Sequence, residues 1–209
     1  MKELNDFILF PRLEKELKYY LENPTKIDYP LCFYGLPGIG KTTFARYLTS
    51  KYSYDVTEYD SSNDMFSIIP DVEKRMRGGG LCSFMTDEDK PFNRGIIIDE
   101  FHDFSKRRQD KFKKILEKIT CPPYNSLVVI CLNTDSKNPI EKRMTPAIQS
   151  RCDLINFNPS LDDVEPMINQ LNEKYPELSL DFLIKTYPDL RKIMRRVERL
   201  KRPNPDCYI

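Results

Sequence analysis

Gly35-Leu-Pro-Gly-Ile-Gly-Lys-Thr42 is the stretch of the sequence that decides the fold. A short apolar run at 31–34 precedes it and predicts a buried strand, and the segment at 41–52 that follows has the apolar spacing of a helix. A loop of the form G-x-x-x-x-G-K-[ST] between a strand and a helix turns its backbone N–H groups inward around phosphate oxygens, and the helix N-terminus adds favourable partial charge. We therefore predict a nucleotide-phosphate-binding loop formed by Gly35, Leu36, Pro37, Gly38, Ile39, Gly40, Lys41, Thr42 and Thr43.

Two acids that follow a second apolar run complete the expected nucleotide site. Gly95-Ile-Ile-Ile-Asp-Glu100 has no apolar/polar alternation before its acids, which is typical of a strand buried on both faces. In such a site Lys41 reaches the β- and γ-phosphates of ATP, and Thr42 offers its hydroxyl to Mg²⁺. Asp99 is then expected to hold the Mg²⁺, mostly through its water shell, and Glu100 to orient and deprotonate the attacking water.

The composition narrows the class of protein. The chain has 209 residues, 40% of them hydrophobic, which is enough for one sizeable domain with a small appendage. A net charge of +1 does not indicate what kind of partner the protein binds. We find no apolar run of the roughly 18 residues that a membrane span needs and no signal peptide, so we expect a soluble protein of the cytoplasm (or of the nucleus or host cytosol if viral), not secreted and without a membrane partner. Six cysteines without a C-x-x-C pair and a single histidine favour neither a zinc site nor a disulfide framework.

Further strand candidates lie at 55–59, 95–98, 127–132 and 154–157, and helical stretches separate most of them. This alternation predicts an α/β fold with a parallel sheet flanked by helices. Beyond 159 the pattern is helical only, with breaks near Pro176 and Pro188. We expect a nucleotide-binding base domain at 1–159, a small all-α lid domain at 160–201 and a tail at 202–209. Three consecutive glycines at 78–80 predict a mobile loop within 77–91.

Motifs downstream of the loop carry a resemblance to a known family. In order along the chain these are Asp99-Glu100, Asn133 after an apolar run, Ser150-Arg-Cys152 and Pro188-Asp-Leu-Arg-Lys192. Taken alone, Asn133 is also typical of a turn and Arg151 of a protein surface. Together, over about 6–200, the motifs resemble an AAA+ ATPase of the sliding-clamp loader type. The chain is similar to replication factor C small subunits and, more closely, to the ATPase subunit of T4-like phage clamp loaders.

This resemblance implies a P-loop NTPase (AAA+) fold and assigns roles to the ambiguous residues. It implies that Asn133 is the sensor 1 residue, which detects the γ-phosphate. Arg151 would be the arginine finger, which acts on ATP bound by a neighbouring subunit of the same kind. Arg191 would be the sensor 2 residue, through which the lid touches the γ-phosphate of its own nucleotide.

The chain departs from that family at both ends. Asp6-Phe-Ile-Leu-Phe-Pro11 stands where the family has Lys-Tyr-Arg-Pro, and the sequence stops about where the lid ends, before the usual helical collar domain. The resemblance therefore does not imply a ring held by collars. We expect ATP to bridge base domains or a partner protein to supply the scaffold.

A strongly basic helix is expected at 105–119, directly after the acids. One interpretation is a sequence-independent contact with the phosphates of primed or single-stranded DNA, and the equally weighted alternative is a solvated helix face. For a second basic run at 195–202 we favour the solvated face, because cations are common at helix C-termini. The DNA-binding candidates are Lys106, Arg107, Arg108 and Lys111, with Lys113, Lys114 and Lys118 further along.

The sequence thus predicts an ATP-binding and ATP-hydrolysing AAA+ protein of DNA replication, clamp-loader-like, stimulated by DNA and acting as an oligomer. Its protein partner would be a sliding clamp or another replication protein. One alternative is a viral or plasmid replication helicase or helicase loader, against which the Ser-Arg-Cys triplet argues. Another is a non-catalytic ATP-gated adaptor, which would not need Glu100 as a base. A small-molecule phosphotransferase is weaker, because nothing in the sequence suggests an acceptor pocket.

Overall fold

A computed structural model describes residues 4–60, 62, 70–72, 74, 90–119 and 126–201. The glycine-rich stretch at 77–91, apart from its last two residues, and the tail at 202–209 lie outside the described residues.

The described strands form one five-stranded parallel sheet in the order β2-β3-β4-β1-β5. Each predicted strand is present, with ends that differ by at most three residues, and the predicted α/β P-loop fold is confirmed. Asn133 is the last residue of β4 rather than the residue after it. The bounds are β1 Leu31–Gly35, β2 Ser53–Tyr59, β3 Phe92–Ile98, β4 Ser126–Asn133 and β5 Asp153–Asn156.

Helices cover both faces of the sheet, which explains why its central strands are apolar without alternation. Successive side chains of a strand point to opposite faces. In β3, Ile97 therefore joins a core with Leu17 and Phe44, whereas Ile98 joins a second core with Phe112 on the other face. Among the described residues, the α-helices with defined bounds are α1 Pro11–Glu22, α2 Lys41–Tyr52, α3 Lys106–Ile119, α4 Ile140–Arg143, α5 Pro146–Gln149, α6 Leu161–Lys174, α7 Leu180–Thr186 and α8 Leu190–Lys201.

The last three helices, α6 to α8, share an apolar core of their own, which includes Leu171, Leu183 and Ile193. Ser160 begins α6 with a capping box, in which its backbone N–H donates to Asp163 Oδ2 at 2.7 Å. The breaks between these helices fall at Pro176 and Pro188, as the sequence predicts. Their treatment as a separate lid domain stays a prediction.

All strands run in the same direction, so the carboxyl ends of β1, β3 and β4 meet at one edge of the sheet. Gly35 and Asn133 are register partners there, and Ile98 pairs with Ile130 just before β3 ends. Ligands of open α/β sheets bind at this edge. Among the described helices, none combines the length and the apolar character that crossing a bilayer requires.

Candidate nucleotide-binding site

The loop between β1 and α2 has the backbone that its glycines predict. Gly38 has a φ of +79°, and a Cβ added there would lie 2.4 Å from Asp189 Oδ1, so only glycine fits without displacement. Gly35 is confined less tightly, because an added Cβ would lie 3.0 Å from Asn158 Oδ1. Asn158 also accepts a hydrogen bond from the Leu36 N–H at 2.7 Å. The loop is therefore held by the segment that follows β5.

Lys41, at the start of α2, is a buried cation with 5% of its surface exposed. Its Nζ donates to the carbonyl oxygens of Gly35 at 2.9 Å and Leu36 at 2.6 Å, and to Asn133 Oδ1 at 2.9 Å. Burial lowers the pKa of Lys41 to about 8. A phosphate in the loop would offer this ammonium group a charged acceptor in place of neutral ones, which strengthens each hydrogen bond.

The structure brings the two predicted metal ligands together. Thr42 Oγ1 donates to Asp99 Oδ2 at 2.8 Å, although the residues are far apart in sequence. A hydroxyl and a carboxylate are the oxygen donors that Mg²⁺ binds in phosphate sites, usually with waters completing its shell. The donor set therefore fits Mg²⁺.

Glu100 leaves β3 in a left-handed conformation, with φ 51° and ψ 35°. This conformation is uncommon for a residue other than glycine. The Glu100 N–H donates to Asp99 Oδ1 at 2.9 Å, and the Glu100 side chain is exposed beside that acid. The turn thus separates the Asp99 carboxylate, which Thr42 holds, from the Glu100 carboxylate, which water can reach.

Asn133 joins the loop to a residue that the sequence analysis missed. Its side chain binds Lys41, and its backbone N–H donates to His102 Nδ1 at 3.3 Å. Burial lowers the pKa of His102, and the neighbouring Asp103 carboxylate partly opposes this. The sequence offered one indication of this residue, because the single histidine lies two residues after Glu100. Nothing in the sequence pattern linked that histidine to β4.

Arg151 lies away from this edge. It precedes β5, whose first residue Asp153 is the register partner of Leu31 at the start of β1. Leu31 and Gly35 are four residues apart along β1, which corresponds to about 13 Å at the usual rise of a strand. The Arg151 guanidinium donates to the Ala147 carbonyl oxygen and to Ser150 Oγ. The structure does not bring Arg151 to the loop of its own chain.

The sequence profile of the ATPase family associated with various cellular activities (AAA) matches residues 31–160. The chain belongs to the AAA family of ATPases. The match covers the loop, the acids at the end of β3, the end of β4 and the segment around Arg151.

One curated protein and two solved structures illustrate what this AAA protein is similar to. The ATPase WRNIP1 of Dictyostelium discoideum is 26% identical over 180 residues, which are 84% of this chain but only 18% of that protein. DnaA from Aquifex aeolicus bound to AMPPCP has a TM-score of 0.61 at 16% identity. The aligned region is 95% of this chain and 64% of the DnaA chain. A RuvB variant from Thermotoga maritima has a TM-score of 0.55 at 15% identity, over 99% of this chain and 69% of its own. At these identities the two structures show a shared fold.

The helices after β5 reach the loop of this AAA protein directly. The Arg191 N–H, at the start of α8, donates to the Gly38 carbonyl oxygen at 3.2 Å. The Asp189 carboxylate packs against the same glycine and accepts from the Lys192 N–H at 3.1 Å. The Arg191 side chain is exposed. The predicted sensor 2 residue is thus anchored to the phosphate-binding loop by its backbone.

The basic helix α3 presents its predicted DNA-binding residues to solvent. Gln109, on the opposite face, is 1% exposed and was not singled out from the sequence. It donates to the carbonyl oxygens of Phe104 at 3.0 Å and Arg143 at 2.9 Å, and accepts from the Thr145 N–H at 3.0 Å. These bonds tie α3 to the start of α5. The exposed candidates are Lys106, Arg107, Arg108 and Lys111.

Proposed function

We propose that this AAA protein hydrolyses ATP to ADP and phosphate and that it acts in DNA replication as an oligomer of clamp-loader type. The observation that carries the proposal is the hydrogen-bonded cluster at the carboxyl edge of the sheet. Lys41 is bonded to Asn133, and Thr42 is bonded to Asp99. Three strands deliver these groups to one loop, which is the arrangement that phosphoryl transfer requires of a P-loop protein.

Binding of ATP would use the cation and the backbone of the loop. Backbone N–H groups between Gly38 and Thr43 would surround the β-phosphate, and Lys41 would exchange its carbonyl acceptors for phosphate oxygens. Because burial already disfavours the Lys41 cation, an anionic ligand beside it is especially favourable. Arg191 would reach the γ-phosphate from the lid, since its backbone is anchored at Gly38.

Hydrolysis would use the carboxylates and the amide at the strand ends. Thr42 and Asp99 would hold Mg²⁺, which when bound supplies positive charge against the phosphate oxygens. Glu100 would accept a proton from the attacking water, and Asn133 would orient that water or the γ-phosphate. Arg151 of an adjacent subunit would stabilise the charge that develops on the leaving β-phosphate.

The first test of the proposal is Lys41→Ala. We expect its affinity for a slowly hydrolysed ATP analogue to fall by about 100-fold, since a charge-assisted contact in a partly buried site is lost. Isothermal titration calorimetry measures this directly. The matched control is Lys51→Ala, which removes an exposed lysine from the other end of α2 and should leave affinity unchanged. Equal affinity of wild type and Lys41→Ala, with both folded by circular dichroism, would refute a nucleotide site in this loop.

The DNA part of the proposal is supported by the exposed basic face of α3. DnaA, a similar structure, was solved bound to AMPPCP and single-stranded DNA, with a TM-score of 0.60. The apolar residues Phe112, Ile115 and Leu116 hold the other face of α3 in the core, which leaves its first cations on the exposed face. A helix of this kind can follow phosphates without reading bases. The partner protein would be a sliding clamp or another replication protein.

Replacing Lys106, Arg107 and Arg108 together with alanine should weaken DNA binding equally for all sequences. Each lost phosphate contact flattens the plot of log affinity against log salt by about 0.9 for duplex DNA and 0.7 for single strands. Fluorescence anisotropy over a salt series measures the slope. The control removes the same charge from α8 with Arg195, Arg196 and Arg199 to alanine. A slope that changes only in the α8 variant would move the DNA contact to α8.

A further inference from the structure

The end of β4 extends past its neighbour β3. The last register pair between these strands is Ile98 with Ile130, and β4 continues to Asn133. The Thr134 N–H donates to the Gly35 carbonyl oxygen of β1 at 2.9 Å. Successive backbone N–H groups of an extended chain point to opposite sides, so the Asn133 N–H points to the side of β3.

Within the described part of the chain, no carbonyl of β3 is in position to accept that N–H. β3 ends at Ile98, and the left-handed Glu100 turns the chain away from the sheet. The His102 imidazole occupies the place that a longer β3 would take: its Nδ1 accepts from the Asn133 N–H at 3.3 Å. The same Asn133 holds Lys41 through its side chain. One imidazole thus supports the residue that connects β4 to the phosphate-binding loop.

We propose that His102 is a positioning residue, whose neutral imidazole fixes Asn133 and, through it, the ammonium group of Lys41. The proposal rests on ATP hydrolysis at this site. His102 itself would not touch the nucleotide. Its role requires Nδ1 to carry a lone pair, because the Asn133 N–H is the donor of the bond.

The charges around His102 decide whether that lone pair is available. The ring proton must then be on Nε2, which lies 3.6 Å from Asp103 Oδ1. Asp103 and Glu100 favour the charged ring, whereas Arg143 and Lys41 oppose it. Burial is the largest cause and lowers the pKa of His102 below the ordinary value of 6.5. The neutral form therefore dominates near pH 7. At acid pH Nδ1 would also carry a proton, and its N–H would then face the N–H of Asn133 with no acceptor between them.

A direct test uses the fact that the chain contains one histidine. Labelling with ¹⁵N-histidine gives the imidazole signals of His102 alone, in protein without nucleotide. We expect the tautomer with the proton on Nε2, a titration midpoint below 6.5, and an Asn133 amide signal that shifts with the same midpoint. A dominant Nδ1–H tautomer, or an Asn133 amide that ignores the titration, would overturn the proposal.

Variants test the consequence for turnover. His102→Leu keeps volume without an acceptor, and we expect kcat to fall about tenfold, the usual value of one hydrogen bond. ADP affinity should fall by less than kcat, because ADP lacks the γ-phosphate that Asn133 would orient. His102→Asn places an amide oxygen near the position of Nδ1 and should recover most of the turnover. In wild type, kcat should fall at acid pH as His102 becomes charged, and His102→Asn should not show this fall. Asp103→Asn, which removes the facing carboxylate, should move the fall in kcat to lower pH.

The outcomes separate this proposal from the proposed function. If wild-type protein binds no ATP and turns none over, the proposed function fails, and the NMR measurement still decides the placement of His102. If wild type hydrolyses ATP and His102→Leu keeps its full kcat, or if His102→Asn falls as far as His102→Leu, the positioning role is overturned while the ATPase function stands.

Discussion

Replacing Glu100 with glutamine should stop ATP turnover while ATP stays bound. Glutamine has nearly the size of glutamate and leaves the bond from the backbone N–H to Asp99 Oδ1 in place, but its amide cannot accept a proton from water. General-base catalysis contributes about 10²–10⁴ in rate, so we expect a loss of roughly 10³-fold in kcat. Glu100 is exposed next to Asp99, so the substitution alters no core side chain and should leave the fold intact.

Phosphate release under saturating ATP measures the turnover, and calorimetry with ATP or its slowly hydrolysed analogue measures the binding. Glu141→Gln is the matched control, because Glu141 is an exposed glutamate on α4. It should behave as wild type. Hydrolysis by Glu100→Gln at the wild-type rate would remove Glu100 from the mechanism. A wild-type protein that binds ATP and shows no turnover would instead favour the ATP-gated adaptor.

The fold was predictable because its signals are local. The loop at 35–42 has its own sequence pattern, and Ile96, Ile97 and Ile98 lack the alternation of a half-exposed strand. Both features follow from short stretches of chain. The order of the strands in the sheet is not local, and hydrophobic spacing does not encode it.

The parts of the site that the sequence did not reveal depend on contacts between distant segments. Asn158 meets Leu36 across 122 positions, and His102 meets Asn133 across 31. Asn158 and His102 are polar residues in segments that connect strands and α-helices, where polar residues are common without any further role. Gln109 sits at a core position of α3, and its partners are carbonyl and amide groups that no side-chain pattern encodes.

Arg151→Ala should lose turnover by about 10³-fold or more while retaining ATP binding, as expected for an arginine finger. The residue lies toward the amino end of β5, whereas the loop follows the carboxyl end of β1. A side chain at that end of the sheet is poorly placed to reach the γ-phosphate in its own chain. It is well placed to meet the carboxyl edge of a second copy packed head to tail. Lys142→Ala, on the neighbouring helix α4, is the control and should keep its activity.

Mixing two inactive variants tests whether Arg151 acts between subunits. Lys41→Ala lacks a working loop but keeps Arg151, and Arg151→Ala has the reverse defect. In a random equimolar head-to-tail assembly, half of the loops are intact and half of their neighbours carry the arginine, so about a quarter of the sites regain both parts. We expect ATPase activity to return to about that fraction of wild type. Sedimentation with the ATP analogue must first show co-assembly, which we expect to depend on nucleotide because ATP would bind at the interface. Co-assembled variants that remain inactive would exclude action in trans and with it the proposed clamp-loader type of site.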